Sequence, residues 1–346
     1  MLLRLTSIRG HVVQWWWQPN RRRLATANFA VVAVATLLAG TAALLVEDSL
    51  PKPGDGFVFV PARWITALLL LVLLGVTVRL RGHTHRSGGT LYYVHALAEG
   101  MSDRRRDALG EAADHHMAWR TITRWVDLTD NTNADGVIDI HRVATDIGAT
   151  LENLINNDNP DTGYTVAPNM LWPIALAVGA YLPPIPRTRL LELNPPNRPN
   201  TTITLDGAPT ITLTDKITTL AAPTGHRTGI VLAFTGAAAH FDTNQLVSHG
   251  VATVHTFTAP DSASPLTAAQ IAALPRAIAD ALRPHLTEGT ERVIVAFIPK
   301  TVALALGWEL ARPDIRFFTG THLLHHDDKT DTYQPMRVHA SQPATP

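Results

Sequence analysis

The residues best suited to bind an anion lie late in the sequence, where Pro299, Lys300 and Thr301 follow the hydrophobic strand predicted at residues 293–297. In open α/β sheets, ligands bind beyond the carboxyl ends of the strands. The pattern predicts that a helix begins in this loop, and a helix start offers unpaired N–H groups and the positive end of the helix dipole. Lys300 adds a formal positive charge, so the loop predicts a phosphate-binding position.

A second copy of the helix lies 128 residues earlier. The segments IALAVGAYL at 174–182 and VALALGWEL at 302–310 share five of nine residues, including Gly179 and Gly307. With this offset Trp172 occupies the position of Lys300, and Asn169 lies in the same first-half loop. An aromatic face and a cation together provide the stacking and the phosphate contact that a nucleotide needs. The alternative is that Trp172 is a core residue and Lys300 a solvated one.

Strands that alternate with amphipathic helices follow from residue 90 onward. This alternation predicts an α/β fold with parallel-rich sheets, and the similar element order in both halves predicts two fused Rossmann-like units. Thr235 and Gly236 end one predicted strand, and Thr319 ends another. We expect these three residues to approach the ligand, although each is equally compatible with an ordinary turn.

The composition excludes several classes of site. The chain has 346 residues with 29 basic and 29 acidic side chains, so a broad surface for DNA or RNA polymers is not expected. It contains no cysteine, which rules out disulfides, thiolate zinc sites and cysteine nucleophiles. The sequence also contains no Walker loop, no HExxH and no GxSxG. We therefore expect a binding protein without a cofactor or catalytic residues.

The first 83 residues predict a membrane anchor. Residues 24–46 form a run of 23 residues without charge, which is long enough to span a bilayer. A shorter apolar run at 64–78 is flanked by Arg63 and Arg79, whose side chains can extend outward. The alternative for this second run is a buried helix of a soluble domain. We predict two transmembrane helices at about 24–46 and 62–80.

Charge predicts the orientation of this anchor. Arginines lie before the first span and after the second, whereas the connector holds Glu47, Asp48 and Asp55 against Lys52. By the positive-inside rule, both termini are cytoplasmic. Three tryptophans at 15–17 suit the membrane interface, or alternatively a contact with a partner. The length of the apolar run argues against a cleaved signal peptide.

Three weaker patterns have simple alternatives. The stretch 195–224 is rich in Pro and Thr and predicts a β-hairpin connector around Asp206 and Gly207. The stretch 131–142 is similar to a calcium-binding loop, but Arg142 stands where a bidentate Glu is required, so a turn is favoured. The His- and Asp-rich stretch 322–331 suggests a metal site, or more simply a turn between two strands.

The segment ERVIVAFIPKTVALALGWELARPDIRFF resembles the C-terminal part of the SAVED domain, a family of two fused CARF-like units. The shared features are a hydrophobic strand, a short Pro-containing loop, a small helix that ends in Gly-x-x-Leu, and another strand. The resemblance covers roughly residues 84–340. It implies a first CARF-like half at 84–194, the connector at 195–224 and a second half at 225–346.

The resemblance also implies a function in CBASS-type anti-phage defence. It implies a ligand that is made by a partner synthase of the CD-NTase type. This ligand is a cyclic di-, tri- or tetranucleotide, with a cyclic trinucleotide as one candidate. The resemblance further implies an effector in the bacterial inner membrane that forms a ligand-induced homo-oligomer, disrupts the lipid bilayer and kills the infected cell. The rival hypotheses are a membrane-tethered α/β enzyme that acts on nucleotides and a scaffold that needs no ligand.

Overall fold

The computed structural model describes residues 19–49, 60–87, 89–98, 100–158, 162–183, 188–195, 198–205, 207–221, 225–260, 266–287, 289–311, 315–327 and 331–345. The tryptophans at 15–17 and the connector residues Lys52 and Asp55 lie outside these ranges, and so does Asp206 of the expected hairpin.

Two long helices come first, α1 (Pro19–Ser49) and α2 (Pro61–Ser87). Segments of 24 and 22 residues within them, Ala25–Asp48 and Pro61–Gly82, are long and apolar enough to cross a membrane. Large apolar side chains such as Phe29, Leu68 and Leu69 are exposed along these segments. Side-chain hydroxyls donate back to carbonyls of the preceding turn, as Thr36 does to Val32 at 2.9 Å, so these polar groups are satisfied within their own helix.

An ion pair links the facing ends of the two helices. Arg63 Nη1 donates to Asp48 Oδ2 at 2.6 Å, and both side chains remain partly exposed. Asp48 ends one apolar segment and Arg63 lies near the beginning of the other. The pair therefore closes the helical hairpin at its connector end.

The remaining elements alternate between strands and helices. In chain order they are β1 (Thr90–Leu97), α3 (Arg105–Asp114), β2 (Ala118–Trp125), β3 (Ile138–Asp139), α4 (His141–Asn156), β4 (Tyr164–Met170), α5 (Trp172–Gly179), β5 (Arg189–Glu192), β6 (Thr201–Thr204), β7 (Thr214–Thr219), β8 (Arg227–Ala233), β9 (Val251–Thr258), α6 (Ala268–Leu282), β10 (Arg292–Phe297), α7 (Lys300–Leu310), β11 (Thr321–Asp327) and β12 (Thr332–Arg337).

These strands form two sheets. The first sheet has the order β2-β1-β4-β5-β6, and the second has the order β3-β12-β11-β10-β8-β9-β7. Strand pairs β4–β5, β8–β9, β8–β10 and β10–β11 are parallel, whereas the pairs that involve β6 and β7 are antiparallel. Two apolar helices followed by an α/β domain with parallel-rich sheets are what the sequence predicts, so the predicted fold class is confirmed.

The repeated helices α5 and α7 pack directly against each other in the core. Most residues of both helices are buried, including the whole of 301–307 in α7, which explains why their sequences are mainly apolar. They cross at Gly179 and Gly307, where the missing side chains let the two backbones approach closely. The repeated segment therefore forms the centre of one continuous hydrophobic core that draws residues from both sheets.

The expected hairpin at 195–224 is wrong. Residues 201–204 of β6 pair with β5 in the first sheet, whereas β7 pairs with β9 in the second sheet. Gly207 does adopt a positive φ of 71°, but it begins a segment that runs from one sheet to the other. The first strand of the expected hairpin forms at residues 201–204, but residues 208–213 form no strand, and the next strand, β7, begins only at Thr214 and lies at the edge of the other sheet. The outer boundaries of the two predicted halves stay a prediction.

One smaller expectation also changes. The strand that the sequence predicts to end at Thr319 does not form, because residues 317–320 form a turn and the strand begins only at Thr321. Between β8 and β9 the chain forms two short 3₁₀ segments, Gly236–His240 and Thr243–His249. Finally, the short β3 pairs with β12, so a strand from the first half of the sequence extends the second sheet.

Candidate functional site

Asn169 lies at the carboxyl end of β4 and joins three segments of the chain. Its side chain is buried, and its Nδ2 donates to the Tyr93 hydroxyl at 2.9 Å and to the Ser102 carbonyl at 3.0 Å. Its Oδ1 accepts from Lys300 Nζ at 2.6 Å. The amide is thus held by β1, by the loop after it and by the start of α7.

Lys300 is the first residue of α7, and Pro299 precedes it as the N-cap. The lysine side chain reaches from the start of α7 to the carboxyl end of β4, which joins the two equivalent units that the sequence predicts. Burial lowers the pKa of Lys300, the negative charge of Glu192 opposes this change, and the Arg104 charge adds to it. A desolvated ammonium group of this kind gains strongly from an anionic partner.

Glu192, at the end of β5, binds the beginning of α7. Its Oε2 accepts from the Thr301 backbone N–H at 2.9 Å and from the Thr301 hydroxyl at 2.6 Å. Burial raises the pKa of Glu192, while the bonds from Thr301 and the charge of Lys300 lower it. The carboxylate occupies the position where a helix N-terminus binds anions, so it acts as an internal counterpart of a phosphate group.

Tyr93 forms the aromatic side of the site. Its hydroxyl donates to Asp103 Oδ1 at 2.8 Å and accepts from the Arg104 N–H at 3.0 Å. Its ring stacks with Trp119, at a centroid distance of 5.7 Å, and with His95, at 4.8 Å. Burial and the neighbouring Asp103 raise the pKa of Tyr93, so it is a neutral hydrogen-bonding group at physiological pH.

Arg104 brings a second cation to this region. Its guanidinium bonds to the carbonyls of Leu193 and Asn194, just after β5, and to the carboxylate of Asp107. Its charge acts on the ammonium of Lys300. Among the residues that the structure describes, Asp107 is its one charged partner and the other two are neutral carbonyls, so the guanidinium adds positive potential at the Lys300 side of the site.

The structure brings together four of the eight residues that the sequence singles out. Pro299, Lys300 and Thr301 lie together at the start of α7, and Asn169 bonds to the lysine. Thr301 is fully buried and is engaged by Glu192. Trp172 begins α5 and is partly buried against the core. Its buried part agrees with the alternative of a core residue, and its exposed part agrees with an aromatic face for a ligand.

The other three residues lie at the edges of the second sheet. Thr235 and Gly236 are exposed and follow β8, whose end pairs with the end of β10, so they share the sheet edge from which Lys300 emerges. Thr319 lies at the opposite edge, because its carbonyl accepts from Arg292 at the beginning of β10. Thr319 lies at this edge because it precedes β11, whereas the sequence predicts that it ends a strand.

The sequence interpretation missed Tyr93, Arg104, Trp119 and Glu192. Glu192 carries a usable signal, because a lone acidic residue at the end of a buried strand indicates a polar role at that sheet edge. The others have no local signal, since their proximity depends on the order of strands in the first sheet.

The calcium-like loop adopts the turn that the simpler alternative predicts. Asn133 Oδ1 accepts from the N–H groups of Asp135 at 3.0 Å and Val137 at 2.9 Å. Asp139 binds Arg337 Nη1 at 2.7 Å, so its carboxylate already has a cationic partner. In the stretch 322–331, His322 is buried while His326 lies 3.1 Å from Asp331.

Comparison with known proteins gives structural neighbours only. No protein-family model matches the chain, and no curated protein matches it. The Acinetobacter baumannii Cap4 SAVED/CARF-domain containing receptor with the cyclic trinucleotide 3′3′3′-cAAA is similar at a TM-score of 0.44 and 11% identity, over 80% of this chain and 61% of that chain. The same receptor with 2′3′3′-cAAA gives a TM-score of 0.45 and 11% identity, over 80% and 61% of the chains. The receptor without a named ligand gives 0.42 and 10%, over 78% and 53%.

These neighbours carry the domain name that the sequence resemblance indicates. The chain spans between 53% and 61% of their length. With TM-scores below 0.5 and identities near 10%, the assignment of the site rests on the contacts of this chain. Those contacts supply two cations, a buried amide and a stacked aromatic group at one sheet edge.

Proposed function

We propose that this chain is a membrane-anchored receptor whose α/β domain binds a cyclic oligonucleotide beside Lys300 and Asn169. The observation that carries the proposal is the 2.6 Å bond between these two residues, which joins the carboxyl end of β4 to the helix that follows the equivalent strand β10. A ligand that contacts this pair touches both units of the domain at once. Contact with two equivalent units suits a molecule that is built from repeated nucleotides.

The phosphate contacts follow from charge. Each nucleotide of a cyclic oligonucleotide contributes one negative phosphodiester, and the site has Lys300 and Arg104 near each other. Since the whole chain has no net charge, this local pair favours a small anion over a long polyanion. Glu192 holds the start of α7 until a phosphate competes for it.

The base contacts follow from the aromatic stack. Trp119 is partly exposed and lies parallel to Tyr93, with an angle of 23° between the rings. Stacking of a base on such a ring contributes about 1–3 kcal/mol. Trp172, at the start of α5, is a second aromatic position in the equivalent loop. We therefore expect recognition by stacking and by Asn169, with no catalytic step.

The response to ligand passes through assembly. A cyclic oligonucleotide signal from a CD-NTase-type synthase binds the assembled state more tightly and so shifts the population toward a homo-oligomer. The two helices lie in the bacterial inner membrane with both termini cytoplasmic. Clustering of these anchors disrupts the bilayer and stops the infected cell, which places the chain in CBASS-type defence.

Calorimetric titration of the full-length protein in detergent tests this function. A panel of cyclic di-, tri- and tetranucleotides is added, and the ligand is examined by chromatography afterwards. We expect saturable binding of at least one member with the ligand intact. Binding followed by breakdown of the ligand would instead favour the nucleotide-directed enzyme, and a folded protein that binds none of them would contradict the proposal.

Liposome leakage tests the effector step separately. Full-length protein in dye-loaded liposomes is expected to release dye only when the binding ligand is added. Release at the same rate without ligand would favour the constitutive scaffold. The same experiment with a fragment that begins at residue 84 provides the control for the anchor.

A further inference from the structure

A cluster of two histidines and an aspartate lies at the β7 edge of the second sheet, away from the Lys300 site. Asp215 belongs to β7, His255 to β9, and His285 to the 3₁₀ turn Arg283–His285 that follows α6. Each residue offers one ligand atom, and these atoms all lie within 4.8 Å of one another. Three separate elements thus direct metal-binding groups to one point.

The strand register explains why they meet. In the antiparallel pair β7–β9, Asp215 is opposite Phe257 and Ile217 is opposite His255, so Asp215 and His255 are diagonal neighbours on one face. Asp215 Oδ2 lies 2.9 Å from His255 Nδ1. The His285 ring packs against His255 at a centroid distance of 4.4 Å and against Phe257 at 6.0 Å. The aromatic contact with Phe257 therefore fixes the third group beside the first two.

The donor set has a clear chemical preference. Two imidazoles and one carboxylate suit Zn²⁺ and other first-row transition metals, and they leave a fourth position for water. A tetrahedral ion at 2.0–2.1 Å from its ligands requires donor atoms about 3.3 Å apart, so no donor separation, each being within 4.8 Å, has to shorten by more than about 1.5 Å. Nearby, Arg292 donates to the backbone carbonyl of His285 at 2.6 Å and to Thr321 Oγ1 at 2.8 Å, which directs its guanidinium to these oxygens.

We propose that Asp215, His255 and His285 form a binding site for a divalent transition metal, with Zn²⁺ as the expected ion. The metal fastens the edge strand β7 to the end of α6. A cavity of about 380 Å³ lies between α6 and the segment that leads into β7, and Phe257 lines this cavity as well as contacting His285. Metal binding therefore also fixes one wall of that cavity.

Metal titration of the full-length protein in detergent, purified without a polyhistidine tag, tests the proposal. Zn²⁺ binding is measured by calorimetry, and Co²⁺ is added as a probe whose visible absorption reports coordination geometry. We expect one site per chain and a rise in the melting temperature on addition of Zn²⁺, because a ligand of the native state stabilises it. A folded protein that binds neither ion would overturn the proposal.

Variants locate the site. His285→Ala and the conservative changes His255→Gln and Asp215→Asn are each expected to weaken Zn²⁺ binding by about 100-fold or more, since even the outer partners of metal ligands contribute 10–100-fold. The matched control is His326→Ala, which removes another histidine next to an aspartate, at 3.1 Å from Asp331. Melting without metal confirms that each variant is folded. Equal loss in His326→Ala, or unchanged binding in all three variants, would overturn the assignment.

Discussion

Gly179 and Gly307 lie against each other where α5 crosses α7, and the contact is symmetric. A Cβ added to Gly179 would lie 1.9 Å from the Leu304 carbonyl oxygen, and one added to Gly307 would lie 1.9 Å from the Leu176 carbonyl oxygen. The two leucines are also separated by 128 residues in the sequence. The repeated helix therefore packs against its own copy, with equivalent atoms in equivalent positions.

Alanine at either glycine is expected to destabilise the domain. Gly307→Ala places a methyl group on a backbone carbonyl that cannot move aside independently, and overpacking of this kind costs about 1–3 kcal/mol or more. Urea denaturation of the full-length protein in detergent measures the change. Gly110→Ala in α3 is the control, because a Cβ there meets no described atom within 4 Å and alanine favours a helix. Equal stability of the two variants would contradict the close contact.

Loss of the Lys300 charge is expected to weaken ligand binding more than it affects folding. Lys300→Met keeps the aliphatic stem and removes a buried ammonium, so cyclic oligonucleotide affinity should fall by about 10-fold or more, or about 1.4 kcal/mol. Lys300→Arg keeps the charge and should lose less. Calorimetry gives the affinities, and Lys216→Met, at an exposed position, is the matched control. Wild-type affinity in Lys300→Met would place the ligand elsewhere.

Glu192 is expected to make stability depend on pH. Burial raises its pKa above the ordinary value of 4.5, so its contribution to folding is present at low pH and is lost as the pH rises from that value through the folded pKa. The free energy of unfolding of the wild type, relative to Glu192→Gln, should therefore decrease over this range. Glu152→Gln in α4 is the control for the loss of one negative charge. A wild type that gains stability relative to Glu192→Gln would show that the charged form is favoured.

Tyr93→Phe is expected to loosen the loop after β1. The change removes a hydroxyl that bonds to Asp103, to the Arg104 N–H and to Asn169, and a buried group left without its partner costs about 1–3 kcal/mol. Trypsin cleavage at the arginines of residues 104–106 should become faster than in the wild type. Slower or unchanged cleavage would mean that the hydroxyl does not hold this loop.

Cysteine labelling tests the orientation of the anchor, and the natural chain gives no background because it has no cysteine. Glu47→Cys, near the end of α1, should react with an impermeant maleimide in intact spheroplasts. Ser102→Cys, in the α/β domain, should react only after permeabilisation. The opposite pattern would reverse the proposed topology, and labelling of both in intact cells would exclude a cytoplasmic domain.

Local patterns in the sequence predicted much of the fold. The apolar runs gave both long helices, and the alternation of strands and helices gave the parallel-rich α/β class. The position of Lys300 also followed locally, because the strand, loop and helix around it are consecutive in sequence. The repeat of nine residues identified the two helices that form the centre of the core.

The errors concern partners that are distant in sequence. The pairing of β6 with β5 and of β7 with β9 was missed because hairpin prediction considers only neighbouring strands. The sequence interpretation places Thr319 at the wrong edge because the segment FFTG at 317–320 has the composition of a strand end. In the structure this segment is a turn, and Arg292 fixes it by donating to the Thr319 carbonyl. Tyr93 and Trp119 depend on strand order in the first sheet, which hydrophobic periodicity does not specify.

The short strand β3 has a consequence for how the domain unfolds. It comes from the first half of the sequence but pairs with β12 of the second sheet, while β6 and β7 divide one connecting segment between the two sheets. Neither half can lose its structure without removing an edge strand or a core helix from the other. The α/β domain should therefore melt in a single cooperative transition, and a chain cut within residues 207–213 should yield two fragments that still purify together.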